Sequence, residues 1–242
     1  MNLRGLLLLL AALLLVPAQL HAAPTQVLVV PSLHGLHAHS AGYDFDRLYT
    51  LVADFKPAVV GVEIRPEDIQ ADAAYLKRNY PPEMIALRDK YAGRVIGFDW
   101  LGSEIAGRPI PADWWTHGSK IKALERKLDA DPAMRDPEDE RISREQQAIL
   151  ESATPASLAD GRHDKLVREQ RERLARRAGG SPYEPLVLFT AERERHIDRN
   201  LIAIVRAHPG QRIVFVMGAD HHGFAVEALR RAFGRRVRVL VP

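Results

Sequence analysis

The chain contains no cysteine. It therefore forms no disulfide and offers no thiolate as nucleophile or metal ligand. Any metal site must be built from His, Asp and Glu, and covalent haem attachment through C-x-x-C-H is excluded. A strong charge of one sign is also missing: 34 Lys and Arg face 31 Asp and Glu, interleaved along the chain. Without Arg4 the balance is 33 against 31. Aromatic residues make up only 7%, and no basic stripe carries them. A nucleic-acid partner is therefore not expected, and Arg230, Arg231, Arg235, Arg236 and Arg238 read as a solvated cluster. Long apolar runs are scarce as well. The longest spans residues 6–16, behind a short positive start and ahead of "PAQLHAA". It stops at Pro17, short of the ~20 residues that a bilayer requires. The order predicts a secretory signal peptide over residues 1–22. Lipid attachment is excluded for want of a cysteine at the cleavage point. No later segment is apolar enough to span, so the expected mature chain, 23–242, has no membrane span and a periplasmic or secreted address.

What is present is an alternation of two patterns. Short Val/Ile-rich runs at 27–30, 58–64, 94–100, 212–217 and 237–241 predict strands. Helical spacing lies between them. In "DFDRLYTLVADFKP", Leu48, Leu51, Val52 and Phe55 share a face, and Pro57 stops the helix. In "GFAVEALRRAFG", Val226, Leu229 and Phe233 repeat the pattern before Gly234. The order predicts a single α/β domain with a mostly parallel sheet flanked by helices. From about 113 to 185 charged residues dominate and prolines punctuate, which predicts a charged helical insertion. "DKLVREQRERLARRAGG" is one of its helices, ended by Gly179 and Gly180, with its Arg/Glu run on a solvated face.

Polar residues then fall at strand ends. His34 comes after the first strand in "VLVVPSLHGLHAHS", and Glu63 closes the second in "VVGVEIRPED". Asp99 closes the third in "VIGFDW", and His221 comes after the fourth in "VMGADHHGF". A parallel sheet brings all four to one edge, where ligands of open α/β sheets bind. On the late helix, Arg193 and Asn200 share the apolar face of Leu186, Phe189, Ile197, Leu201 and Ile204, with His196 at its edge. An arginine there needs a carboxylate, an anion or a wet cleft. Two imidazoles and one or two carboxylates suit a divalent metal with His34, His221 and Glu63 as ligands, or a general acid/base set. A metal would lower the pKa of bound water; without one, Glu63 acts as base beside a histidine. Blander roles exist for each residue. A histidine after a strand caps a helix or bonds a carbonyl, and Asp99 caps the segment after Trp100. His37, His39 and His222 are expected to be exposed in loops. Arg65 and Asp220 read as site neighbours or surface ion pairs, and Trp114-Trp115 as packing of the insertion or a pocket wall.

These residues resemble the TraB/ChaN/Tiki-like superfamily, which includes erythromycin-esterase-like proteins. "GADH", 218–221, matches its second G-x-x-H motif, and "PSLH", 31–34, matches the first with Pro31 in place of glycine. Glu63 matches its strand-end Glu. Arg193 matches its late-helix Arg, with Arg195 and Arg199 as other registers. The resemblance covers both ends of the mature chain and leaves the insertion unexplained. It implies an α/β core with a His/Glu/His site. The expected function is an exported hydrolase, divalent-metal-dependent with Mn, Co or Zn, that cleaves a peptide or ester bond in a small-molecule or peptide substrate. Glu63, Arg193 and Asp99 are its expected catalytic residues. The alternative is a ChaN-like protein binding haem or iron through His with Tyr43 or Tyr49; a third reading is a degenerate member that scaffolds a partner through the insertion.

Overall fold

The structure, a computed structural model, describes residues 23–242. The expected signal peptide lies outside the described residues. Five strands, β1 (Thr25–Ser32), β2 (Val59–Val62), β3 (Val95–Gly97), β4 (Arg212–Gly218) and β5 (Val237–Leu240), form one parallel sheet. Their order is β3-β2-β4-β1-β5. The helices are α1 (Phe45–Asp54), α2 (Ala73–Asn79), α3 (Pro82–Lys90), α4 (Lys120–Ala130), α5 (Pro137–Glu151), α6 (Pro155–Leu158), α7 (Arg162–Ala178), α8 (Glu184–Ala207) and α9 (Ala219–Phe233). The α/β class, the parallel sheet and the helices around it are as the alternating pattern predicts.

Both sheet faces are covered, which is why the strands read as unbroken apolar runs. On one face Leu28, Val30, Val60, Val62, Val214 and Val216 meet Leu48 and Val52 of α1, Leu76 of α2, and Met84 and Leu87 of α3. On the other, Val27, Val29, Ile213, Phe215 and Met217 meet Ile197 and Leu201 of α8 and Leu229 of α9. Each such side chain contributes roughly 1.5–3 kcal/mol by leaving water. Local signals set the ends of the helices. Asp44 caps α1 by accepting from the Arg47 N–H at 2.8 Å, and α7 gives way to Gly180 in the left-handed region at φ 71°.

β1 and β4 are neighbours at the sheet centre, paired from Gln26–Arg212 to Ser32–Gly218. The chain leaves β1 over the α1 face towards β2 and leaves β4 over the α9 face towards β5. Departures in opposite directions open a crevice beyond the carboxyl ends of the two strands. The residues just past β1 and β4 stand at its mouth.

Two strands end earlier than the apolar runs suggest. The runs at 58–64 and 94–100 keep ladder pairing only to Val62 and Gly97. Beyond that point the Ile64 N–H turns back to the Val62 carbonyl at 2.8 Å, a three-residue turn with Glu63 at its apex. A Cβ on Gly97 would lie 2.5 Å from the Ile64 carbonyl oxygen, so the turn can close only over glycine. Residues 113–185 contain a π-helical turn (Trp114–Gly118) and α4 to α7. α7 packs on α9 and α4 packs on α8. The Arg/Glu run of α7 is not simply solvated: Arg173 bonds Asp139 and Asp136 at 2.6 and 2.7 Å. Among the described residues no helix is long and apolar enough to cross a membrane.

Candidate active site

Glu63 lies at the centre of the crevice, 8% exposed. Its two oxygens have different partners. Oε1 accepts from Arg193 Nη2 at 2.8 Å, and Oε2 accepts from the Gly218 N–H at 2.6 Å. Two imidazoles flank it. His221 Nε2 stands 3.5 Å from Oε1, and His34 Nε2 stands 4.0 Å from Oε2. The sheet edge thus gathers His34, Glu63 and His221, and the late-helix face adds Arg193. Arg193 Nε also donates to Asp99 Oδ1 at 2.9 Å, so Asp99 joins the same cluster. Among the described residues Arg193 Nη1 has no protein partner. Arg195 and Arg199, the other registers, are exposed.

The four strand-end residues arrive by different routes. His34 stands on a 3-10 turn (His34–Ala38) with its backbone in the left-handed region, φ 52°. Its N–H is held by Ser32 Oγ at 3.1 Å. His221 is in the first turn of α9, which begins directly after β4. Gly218 lies between the two histidines, and a Cβ there would be 2.5 Å from His34 Nε2. The glycine of "GADH" is therefore required by the approach of the other imidazole. Pro31, which replaces glycine in "PSLH", has no N–H to give a neighbouring strand, and its carbonyl accepts the Tyr43 hydroxyl at 2.8 Å. Pairing of β1 with β5 has already ended at Leu28.

Two acids that sequence reasoning missed define the histidines. His34 Nδ1 donates to Glu83 Oε1 at 2.8 Å, and that oxygen also accepts from Ser32 Oγ at 2.7 Å. His221 Nδ1 donates to Glu194 Oε1 at 2.6 Å. Glu194 is held in turn by Arg171 Nη1 of the insertion at 2.8 Å. A carboxylate on Nδ1 fixes the proton there and leaves Nε2 facing inward, the arrangement that orients both catalytic and metal-bound imidazoles. Glu194 was detectable: Ile197 and Leu201 stand three and seven residues beyond it, on a buried helical face. Glu83, fully buried in α3, carries no comparable signal in "PPEMIALRDK".

Charge in the cluster is unbalanced. Four carboxyl groups, on Glu63, Asp99, Glu83 and Glu194, meet two guanidinium groups, on Arg193 and Arg171. Burial alone would raise the pKa of Glu63, but the charges of His221, Arg193 and His34 and the Gly218 N–H outweigh it and hold the group ionised. Burial raises Asp99; Arg193 opposes the rise and the charge of Glu63 adds to it. Burial disfavours charge on His34, yet its bond to Glu83 and the charges of Glu63 and Glu83 prevail, and its pKa is raised. Both shifts run in the direction that lessens the excess negative charge.

The other candidates fall outside this centre. His37 and His222, expected in exposed loops, are 1% and 2% exposed. His37 donates through Nδ1 to the Tyr43 carbonyl at 2.5 Å and accepts the Leu33 N–H, stapling the turn that carries His34. His222 meets Asp164 of α7 at 3.1 Å. His39 is exposed. Arg65 is a buried hub bonded to Asp68 and to the carbonyls of Ile105 and Arg108, and its side chain makes no bond to Glu63. Asp220 is exposed and stands 3.5 Å from His163. Tyr43 is buried with its hydroxyl committed to Pro31, so it presents no iron ligand. Tyr49 packs against Phe45.

His34, His221 and Glu63 match a divalent cation in donor type, and the charge excess would suit one. Their arrangement does not. Both Glu63 oxygens are taken, one by a guanidinium. Among the described residues no group of three or more His, Asp or Glu side chains is placed to hold a metal ion.

A cleft of about 430 Å³ opens onto Glu63, Asp99 and Arg193. Trp114 and Trp115 of the insertion line it, with Trp115 Nε1 fixed to Asn79 Oδ1 at 2.9 Å. The two imidazoles flank Glu63 and are not among the lining residues of the cleft; the His34 side chain is 39% exposed. No family model matches the chain, and neither a curated protein nor a solved structure matches it.

Proposed function

We propose that the protein is an exported hydrolase, periplasmic or secreted, that cleaves an ester or peptide bond at the Glu63 centre. The observation that carries this reading is the pair of imidazoles, each with Nδ1 on a buried carboxylate and Nε2 towards Glu63. His221 is the base: Nε2 removes a proton from water as the water oxygen attacks the substrate carbonyl. Glu63 stabilises the imidazolium that results, and Glu194 holds the ring in place. Arg193 Nη1 receives the oxyanion, while Nε and Nη2 remain on Asp99 and Glu63. His34, whose pKa is raised against the effect of burial by its bond to Glu83 and the charges of Glu63 and Glu83, gives a proton to the leaving oxygen or nitrogen as the carbonyl re-forms. Glu63 itself is a poor base, because its pKa is lowered and both its oxygens are engaged. The likeness of "GADH", "PSLH", Glu63 and Arg193 to the TraB/ChaN/Tiki-like superfamily supports the same reaction class and belongs to the proposal.

Hydrolysis of a panel of esters and peptides, assayed alone, with EDTA, and with Mn²⁺, Co²⁺ or Zn²⁺, tests it. Turnover in the wild type and its loss in Glu63→Ala and His221→Ala are expected. Unchanged turnover in either variant would overturn the reading. Loss of turnover with EDTA, restored by one of the three ions, would make the centre the expected divalent-metal site. Absence of turnover together with a Soret shift on haem titration would favour the haem-binding alternative.

A further inference from the structure

The cleft has a built polarity and a flat lining. Its inner end carries two carboxylates, Glu63 and Asp99, against one guanidinium, Arg193. Its walls are Trp114, Trp115, Leu101 and Phe189. Trp114 is 6% exposed and packed into the core, and Trp115 is tied to Asn79, so both rings are fixed surfaces. Two cations stand among the lining residues further out. Lys122 is already neutralised by Glu125 at 2.7 Å. Arg78 is exposed and lies over the Tyr75 ring, 5.5 Å from its centre. Among the described residues it has no carboxylate partner. A ligand entering this cleft meets an unpaired guanidinium first, apolar rings next, and a net negative end last.

We infer that the substrate is a small planar or aromatic ester or amide that carries one anionic group. This inference rests on the hydrolase reading for its reactive bond, but not for its binding. The anion pairs with Arg78. The ring lies against Trp114 and Trp115. Excess negative charge at Glu63 and Asp99 repels the anion from the inner end, so the molecule enters with its neutral carbonyl towards Arg193. A cleft of about 430 Å³ falls in the size range of small-molecule sites.

Two of the three tryptophans of the chain line the cleft, so binding is readable without turnover. The probes are 4-nitrobenzoate and its neutral twin 4-nitrobenzamide, which quench tryptophan fluorescence. The substrates are methyl 4-carboxybenzoate and methyl benzoate. The benzoate is expected to quench at roughly fivefold lower concentration than the amide. Arg78→Ala is expected to abolish that preference, and Lys122→Ala to keep it; fivefold is the upper end for one exposed ion pair. Preferential hydrolysis of the carboxylated ester, with KM rather than kcat changed in Arg78→Ala, completes the expected result. Selective quenching without hydrolysis of either ester or of any member of the ester and peptide panel would overturn the hydrolase reading and keep the ligand class. Hydrolysis of both esters at equal kcat/KM, unaltered by Arg78→Ala, would keep the hydrolase and overturn this inference. Absence of quenching by either probe would overturn it as well.

Discussion

His34 stands on a short turn with a left-handed backbone and a side chain 39% exposed, whereas His221 sits in a helix with its side chain 9% exposed. The His34 arm is completed within the α/β core: Glu83 and Ser32, its partners, are 0% and 1% exposed. The His221 arm runs outward, through Glu194 of α8 to Arg171 of α7 and on to Phe224, whose ring lies 4.4 Å from the Arg171 guanidinium. One imidazole is thus positioned by the sheet and its covering helices, and the other depends in part on the charged insertion. The lesson is that equivalent side-chain geometry does not require equivalent supports. It also gives the insertion a physical task, since α7 delivers Arg171, which adds to His221 in lowering the Glu194 pKa against the effect of burial.

Removing the shared element should erase the contrast. Glu63→Gln deprives both imidazoles of their common charge and is expected to lower kcat/KM by about 10²–10⁴-fold. Circular dichroism should confirm that the variant folds; retained turnover in a folded variant would show that neither arm works through Glu63.

Gly218→Ala should strike the His34 arm first, because the new methyl would stand 2.5 Å from His34 Nε2. Displacement of the ring and a destabilisation of about 1–3 kcal/mol are expected, the usual result of overpacking. NMR of the two rings should show a large change at His34 and a smaller one at His221, and equal changes would deny that the arms are separable.

pH sharpens the comparison through His34. Its folded pKa lies above the ordinary histidine value of 6.5. The stability it contributes is therefore fully present below about 6.5 and is lost as pH rises through the folded pKa. Glu63 has the opposite sign: its pKa is lowered from 4.5, so its contribution is present above 4.5 and is lost as pH falls through the folded value. Glu83→Gln removes the largest contribution that raises His34, and an NMR titration should find that ring deprotonating at lower pH. An unmoved transition would contradict the role given to Glu83.

The smallest effect is expected from Arg171→Ala. Its partner Glu194 remains bonded to His221, so the loss should be about 0.5–2 kcal/mol. It should appear as weaker turnover with the His34 titration unchanged. A changed His34 titration would join the two arms and break the comparison.

Much of this site was visible in the residues because strand runs and helical spacing obey fixed periods. Val/Ile runs place His34, Glu63, Asp99 and His221 at one sheet edge, and the face shared with Ile197 and Leu201 singles out Arg193. Glu83 and Arg171 were not visible, because a charged residue in a helix looks solvated unless the helix on the other side of it is known. Glu194 escapes notice for a simpler reason: it stands within "AERERH", where the charge run masks a burial that the helical spacing allows. His37 and His222 are buried against expectation alike, since burial of a histidine depends on its partners, Tyr43 only six residues away but Asp164 on another helix.

A double-mutant cycle on Glu63→Gln and His221→Asn, read as kcat/KM with a substrate of the ester panel, tests most directly whether these groups act as one centre. The double variant is expected to be no worse than the poorer single variant. Losses that multiply, as for two independent residues, would contradict it.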